Sequence, residues 1–257
     1  MKDFKLAGTV PALALVFSAG AASAASVTPD IIFGSGNTNG SFNKTDTELS
    51  FPSNPIGGNI ELGLRAKLRY DASGNPQNQF NWDGVDTYSF NLADGNPPAH
   101  RAMWNFEWSV NVEDLKNDGN QVTIAGLVAS GGKLLLSYDT DPGVGTTFTD
   151  YNLFDFDAYY GTNATGNGGG TYDATGTPVA GSTVAQNSVN YGFIPGAPLG
   201  AGIFDFKMTA FSFGGVELAS TKMTVNVAPI PVPAALPLLL AGLGGLGLAA
   251  RRKRKAA

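Results

Sequence analysis

Apolar and polar residues alternate one by one in the central part of the chain. In segment 60–70 every second residue is apolar, and charged residues such as Arg65 and Lys67 lie between them. Segment 102–112 has the same period of two, with Trp104 and Trp108 on its apolar side. Side chains of a β-strand point to alternate faces, so each segment predicts a strand with one buried face. Both tryptophans are therefore expected in a core.

Further segments of similar pattern are candidate strands: 87–92, 121–129, 133–138, 151–160, 189–194, 203–213 and 216–227. The pairs Gly131-Gly132 and Gly214-Gly215 separate neighbouring candidates, and glycine readily adopts the positive φ of a tight hairpin turn. Connections rich in Asn, Gly, Pro and Thr join the others, and no amphipathic helix of three turns stands out. We expect an all-β fold, an antiparallel β-sandwich with a jelly-roll-like arrangement.

The N-terminus has the three features of a secretory signal peptide. Residues 1–5 are net positive, residues 6–17 are mostly apolar, and small residues follow, ending with Ala22 and Ala24. This order predicts that signal peptidase removes residues 1–24 and that the mature chain begins at Ala25.

The C-terminus predicts a membrane segment. A proline-rich stretch, 228–233, precedes the uncharged segment 234–250. At about 1.5 Å per residue, a helix of that length reaches the lower limit for crossing a bilayer. A cytoplasmic basic cluster after it would hold the body of the protein on the opposite side of the membrane. This basic stop comprises Arg251, Arg252, Lys253, Arg254 and Lys255.

This order of proline motif, glycine-leucine segment and basic tail resembles the PEP-CTERM sorting signal in its V-P-x-P-A form. The motif residues are Pro231, Val232, Pro233 and Ala234, with Val232 in place of the glutamate of the founding Pro-Glu-Pro pattern. The resemblance implies cleavage near the prolines by an exosortase, a membrane-embedded cysteine transpeptidase of Gram-negative bacteria that also make exopolysaccharide.

The chain is therefore expected to have three parts. Residues 1–24 are the signal peptide and residues 25–228 form a secreted β-sandwich. The sorting signal spans 229–257, with its proline motif at 230–234, its membrane helix at 234–250 and its basic tail at 251–255.

Charge is distributed unevenly between these parts. The whole chain has a net charge of −5, but residues 25–233 hold nine of the 16 basic and 20 of the 21 acidic residues, a net charge of −11. So acidic a body argues against nucleic-acid binding, which needs a basic surface. The chain contains no Cys and one His, which excludes disulfides, thiolate metal sites and a Cys nucleophile.

Few residues in the body suggest specific chemistry. Asp139 and Asp141 alternate in a predicted turn, as in calcium loops, and Asp150, Asp155 and Asp157 follow. However, Gly143 stands where a third ligand would be, so turn capping is the alternative interpretation. Exposed aromatic residues offer sugar-stacking surfaces, with Trp82 as the first candidate and Tyr159 as another. His100 has no nucleophile motif around it.

The sequence favours a non-enzymatic exported protein of the cell surface or the biofilm and exopolysaccharide matrix. Its expected partners are signal peptidase, an exosortase, the cytoplasmic membrane transiently, and exopolysaccharide. It would pass through an inner-membrane-anchored intermediate before reaching the surface or matrix, and no cofactor is expected. The alternative is a lectin-like, carbohydrate-binding β-sandwich assisted by calcium, and a hydrolase is a third hypothesis.

Overall fold

We describe a computed structural model at residues 43–49, 58–112, 122–155, 157–166 and 168–230, together with Ala241 and Leu243. For 43–49, 58 and 59 the description covers the backbone alone. These residues form two β-sheets packed face to face, as the all-β prediction required. The strands are β1 (Asn43–Leu49), β2 (Gly58–Tyr70), β3 (Pro76–Gln79), β4 (Thr87–Asn91), β5 (Trp104–Asn111), β6 (Lys133–Asp139), β7 (Phe148–Asn152), β8 (Ala158–Gly161), β9 (Thr171–Asp173), β10 (Val184–Asn190), β11 (Gly202–Phe211) and β12 (Glu217–Ala228).

Within the described ranges, one sheet has seven strands in the order β1-β2-β5-β10-β8-β9, with β3 also paired to β2. The second sheet has five strands in the order β4-β12-β11-β6-β7. Pairing is antiparallel except between β4 and β12, which run parallel. The prediction of a purely antiparallel sandwich is therefore wrong at this edge. Parallel strands are joined by a crossover connection rather than a hairpin. The chain enters β4 from β3, which belongs to the other sheet, so no hairpin leads into β4.

Alternate residues of the central strands meet between the two sheets and form the core. Trp104 stacks on Tyr191, with ring centroids 4.3 Å apart, and meets the edge of Phe206 at 5.9 Å. Trp104 and Trp108 are each 2% exposed, which confirms the predicted core positions. The predicted strands over 60–70, 87–92, 102–112, 133–138, 203–213 and 216–227 are also confirmed, with shifts of one or two residues at their ends.

The candidate strand at 121–129 is wrong. The structure has a short helix, α1, at Ile124–Ala129. Thr123 caps it, since its hydroxyl accepts a hydrogen bond from the Gly126 amide at 2.9 Å. Ile124 and Leu127 are three positions apart, which is a helical spacing, and both are buried. Gly131, at φ 79°, therefore follows a helix rather than joining two strands of a hairpin.

Two other candidate strands need correction. The segment 151–160 divides between β7 of one sheet and β8 of the other, with a 3-10 turn at Leu153–Asp155. Asn152 favours this break because its side chain donates to Asp155 Oδ1 at 3.1 Å. The candidate at 189–194 is also misplaced, because β10 starts at Val184 and a 3-10 turn follows Asn190.

The seven-stranded sheet carries buried charges on its face away from the core. Arg65 lies opposite Glu107 across the β2–β5 pair and forms an ion pair with it. Lys67 Nζ lies 2.6 Å from the other carboxylate oxygen of Glu107. All three residues are at most 1% exposed, and the Arg65 guanidinium lies 4.4 Å from the centroid of the Phe80 ring. This Arg65–Glu107–Lys67 cluster is a buried electrostatic link between two central strands.

Burial and charge oppose each other within the cluster. Burial disfavours the charged carboxylate, but Arg65 and Lys67 outweigh it, so the pKa of Glu107 lies below its ordinary value. Burial lowers the pKa of Lys67, and the attraction of Glu107 offsets only part of that effect. Removing one member leaves the others charged and buried, which is the costly way to break such a cluster.

We expect Glu107→Gln to lower the free energy of unfolding by about 3 kcal/mol at neutral pH, because it removes the carboxylate that pairs with two buried cations. Urea unfolding measures this change. The matched control is Glu217→Gln, whose partner Lys207 is 3.7 Å away in an exposed pair. That variant should lose less than about 1 kcal/mol. Equal losses for the two variants would contradict a structural role for the cluster.

The same two variants test the pH dependence. The pKa of Glu107 is lower in the folded protein, so its contribution to stability is present above the ordinary Glu pKa of about 4.5 and is lost at lower pH. Between pH 5 and 3, about the range in which an unfolded carboxylate takes up its proton, Glu217→Gln should lose stability more steeply than Glu107→Gln. Parallel pH profiles would show that Glu107 has an ordinary pKa in the folded state.

Candidate functional site

The predicted processing residues lie outside the described parts of the chain. This holds for Ala22, Ala24 and Ala25 at the N-terminus, and for Pro231–Ala234 and Arg251–Lys255 at the C-terminus. The described body ends with β12 at Ala228, between β4 and β11 in the five-stranded sheet. Within the described ranges, the structure contains no helix with the length and hydrophobicity that a bilayer crossing requires.

Asp139 and Asp141 lie at the end of β6, where each caps a turn. Asp139 Oδ1 accepts hydrogen bonds from the amides of Asp141 at 2.9 Å and Thr147 at 3.0 Å. Asp139 is 1% exposed, whereas Asp141 is exposed and accepts from the Gly143 amide at 2.9 Å. The two carboxylates therefore hold the 139–147 loop through its backbone.

The other acidic residues of this region are directed to separate partners. Asp150 accepts from the Ser137 hydroxyl at 2.5 Å, Asp155 from Asn152, and Asp157 from the Tyr172 hydroxyl at 2.8 Å. Among the described residues, no three acidic or His side chains come together as metal ligands would. The structure thus separates the carboxylates that the sequence analysis grouped.

The aromatic candidates and His100 lie apart from each other. Trp82 is half-buried against Tyr88, with ring centroids 6.3 Å apart. Tyr159 is half-buried beside Tyr172 at 5.1 Å, on the outer side of β8. His100 is exposed in a turn, at φ 63°.

A cleft of about 310 Å³ opens between the two sheets. It forms because β8 pairs only with residues 184–186 of β10, so the second half of β10 has no neighbour on that side among the described strands. We call the space beside this half of β10 the inter-sheet cleft. Trp108 of β5 and Leu136 of β6 line it from opposite sheets.

Aromatic side chains supply much of the cleft lining. Tyr138 of β6 and Tyr151 of β7 stack with ring centroids 4.9 Å apart. Burial, and then the hydrogen bond and proximity to Tyr151, raise the pKa of Tyr138, so its phenol stays protonated through the physiological range. Phe193, which is 57% exposed, lies where the cleft meets solvent. The guanidinium of Arg101 lies 3.7 Å from the centroid of its ring.

Polar groups lie on the same lining. Asp157 is a half-buried residue of the lining, and Asn187 donates a hydrogen bond to the Asp157 carbonyl at 2.7 Å. Asn187 Oδ1 accepts from the Ser188 amide at 2.7 Å. The side chain of one cleft residue therefore positions the backbone of the other.

Asn190 fixes the loop at the mouth of the cleft. Its side chain accepts from the amides of Ala102 and Gly192 and donates to the Ala102 carbonyl at 2.8 Å and to Asn105 Oδ1 at 2.9 Å. These bonds hold the end of β10 and the start of the turn that carries Phe193 against β5. The mouth is thus attached to β5, a strand whose residues are all buried.

The sequence analysis did not identify this cleft. The alternation of apolar and polar residues placed Trp108 on a core face, which is correct. However, alternation does not show whether other side chains fill the space beside a core residue. Tyr151 and Asp157 were assigned to one continuous strand, and the break between β7 and β8 that brings both to the cleft was missed.

The described strands define the fold class as a β-sandwich of one antiparallel and one mixed sheet. No protein-family model matches the sequence, and a search of curated proteins finds no significant match.

We expect Asp139→Ala to destabilise the protein by about 1–3 kcal/mol, because two backbone amides lose a buried acceptor. Asp141→Ala is the matched control on the exposed side of the same turn and should cost about 0.5 kcal/mol. Thermal unfolding with and without millimolar calcium chloride measures both variants and the wild type.

Turn capping predicts that calcium leaves the Tm of the wild type unchanged. A Tm that rises with calcium in the wild type, and no longer does so in Asp139→Ala and Asp141→Ala, would instead establish the calcium loop.

Proposed function

We propose that the chain is an exported, non-enzymatic β-sandwich protein of the cell surface or the exopolysaccharide matrix. The observation that supports this most directly is the position of the domain boundary. The sandwich ends with β12 at Ala228, immediately before the proline-rich segment that resembles a sorting motif. A folded body followed at once by a stiff spacer suits processing by a membrane enzyme, because cleavage then leaves the described strands intact.

The proposed route has two cleavages. Signal peptidase removes residues 1–24 while residues 234–250 hold the intermediate in the inner membrane, with the basic cluster 251–255 in the cytoplasm. An exosortase then cuts near Pro231–Pro233 and leaves the membrane segment behind. The released body carries a net charge of about −11. Most of the basic residues that lie outside it serve to orient the chain in the membrane.

The jelly-roll-like arrangement belongs to the same proposal. The chain crosses between the sheets from β3 to β4, from β4 to β5, from β5 to β6, from β7 to β8 and from β10 to β11. Such repeated crossings spread the connecting loops over both ends of a sandwich, where surface proteins commonly bind their partners.

Deleting residues 231–257 should prevent surface attachment in an exosortase-bearing host. We expect the intact chain to be detected immunologically at the cell surface or in the matrix, and the truncated chain to be absent from that fraction. Pro231→Ala combined with Pro233→Ala should give the same defect within the full-length chain, whereas Pro229→Ala is the matched control and should be sorted normally. Equal surface display of the intact and truncated chains would overturn the sorting proposal.

A second candidate function is carbohydrate binding. The inter-sheet cleft supports it, since aromatic residues and Asp157 line it, and sugars are commonly bound by aromatic and carboxylate side chains together. A matrix protein that binds the polysaccharide around it would also be retained without a covalent link.

The carbohydrate hypothesis predicts that the protein cosediments with exopolysaccharide from its own host. If the half-buried Trp82 is part of the binding surface, Trp82→Ala should reduce cosedimentation by about tenfold, the effect of losing one well-packed aromatic contact. Phe213→Ala is a suitable control, because Phe213 is an exposed aromatic residue at the β11–β12 turn. A wild-type protein that binds none of the polysaccharide would leave the non-binding matrix protein as the better account.

A further inference from the structure

The inter-sheet cleft has the size of a site for one small ring. Its volume of about 310 Å³ lies at the lower end of the range for small-molecule pockets. Trp108 and Leu136 close its inner side and are at most 3% exposed, so a ligand enters from the side of Phe193. A long polymer would not fit along this space, whereas a single terminal or branching unit would.

The aromatic lining selects a flat ligand with an apolar face. Tyr138 and Tyr151 form a stacked pair on one sheet, and Trp108 lies on the other. Because the C–H groups on one face of a pyranose ring form an apolar surface, such a ring packs well on aromatic side chains. The two stacked tyrosines support each other, so the lining is largely formed before a ligand arrives.

Asp157 supplies a positioned acceptor for hydroxyl groups. Its Oδ2 accepts from Tyr172 at 2.8 Å, and its backbone is held by Asn187 at 2.7 Å. Among the hydrogen bonds of the described residues, none involves Oδ1 of this carboxylate. An ionised carboxylate has several acceptor positions, so Asp157 can accept from a sugar hydroxyl in addition to Tyr172.

The charges around the cleft argue against an anionic ligand. Such a ligand would meet Asp157 inside a body whose net charge is about −11. The guanidinium of Arg101 lies on the ring of Phe193 at the mouth and is therefore already paired with an aromatic face. A neutral sugar meets no charge repulsion here.

We propose that the inter-sheet cleft binds one neutral pyranose unit of a glycan, with Tyr138, Tyr151 and Trp108 packing on the ring and Asp157 accepting from its hydroxyls. This inference rests on the carbohydrate-binding candidate function, and it places the site away from Trp82.

The test uses the full-length chain and a defined set of neutral probes: glucose, galactose, mannose and N-acetylglucosamine, with their disaccharides and trisaccharides. Saturation-transfer NMR detects binding of each probe, and tryptophan fluorescence follows it through three tryptophans, of which Trp108 lines the cleft. The cleft variants then assign the binding to the cleft. Asp157→Asn keeps the shape of the side chain and removes its charge. Tyr151→Ala removes one aromatic surface.

The matched controls are Asp155→Asn and Phe148→Ala. Phe148 is an exposed aromatic residue of β7, the strand that contains Tyr151, and Asp155 is an exposed carboxylate in the turn that follows β7. We expect at least one probe to bind the wild type, and both cleft variants to weaken that binding by about tenfold or more, with the controls unchanged. Asp157→Asn keeps the test valid if Tyr151→Ala fails to fold.

Three outcomes would overturn the proposal, and they have different meanings. If a probe binds equally to the wild type and to the cleft variants, the site is elsewhere but carbohydrate binding stands. If the probes fail while host exopolysaccharide binds the wild type and the cleft variants equally, the cleft assignment alone is wrong. If neither the probes nor the host polysaccharide bind, the carbohydrate function fails together with the site.

Discussion

The ion pair between Arg65 and Glu107 sets the register on which the rest of the sandwich depends. These residues lie directly opposite each other on β2 and β5, on the face away from the core. A slip of one residue would turn every side chain of a strand to the other face and place these charges between the two sheets. Removing charges from water costs several kcal/mol per ion. The charges therefore disfavour the slipped register far more strongly than the loss of apolar contacts alone would.

This register extends across the seven-stranded sheet to the inter-sheet cleft. Once β5 is fixed, β10 aligns beside it, and Asn190 comes opposite Asn105. Asn190 then holds the turn that carries Phe193, while Asn187, three residues earlier, holds the backbone of Asp157. The cleft therefore opens where β8 stops accompanying β10, and its polar residues are positioned by the β5–β10 pair beside it.

Much of the fold could be predicted from the sequence because strands such as β2, β5, β11 and β12 alternate cleanly and end at turn residues. The pattern failed where a polar side chain or a cap decides the local structure. Thr123 starts a helix inside an apolar run, and Asn152 and Asn190 end strands that apolar residues would have extended. The cleft could not be predicted at all, because it depends on how far β8 accompanies β10, which is a property of pairing between distant segments.

The two proposed functions place the same acidic body in one setting, outside the cytoplasm and released from the membrane segment that oriented it. The most direct test is the intact mass of the protein recovered from the cell surface or matrix of its host. The account predicts a chain that begins at Ala25 and ends within the proline motif, so that residues 234–257 and their basic cluster are missing. A recovered chain that still ends at Ala257 would contradict it.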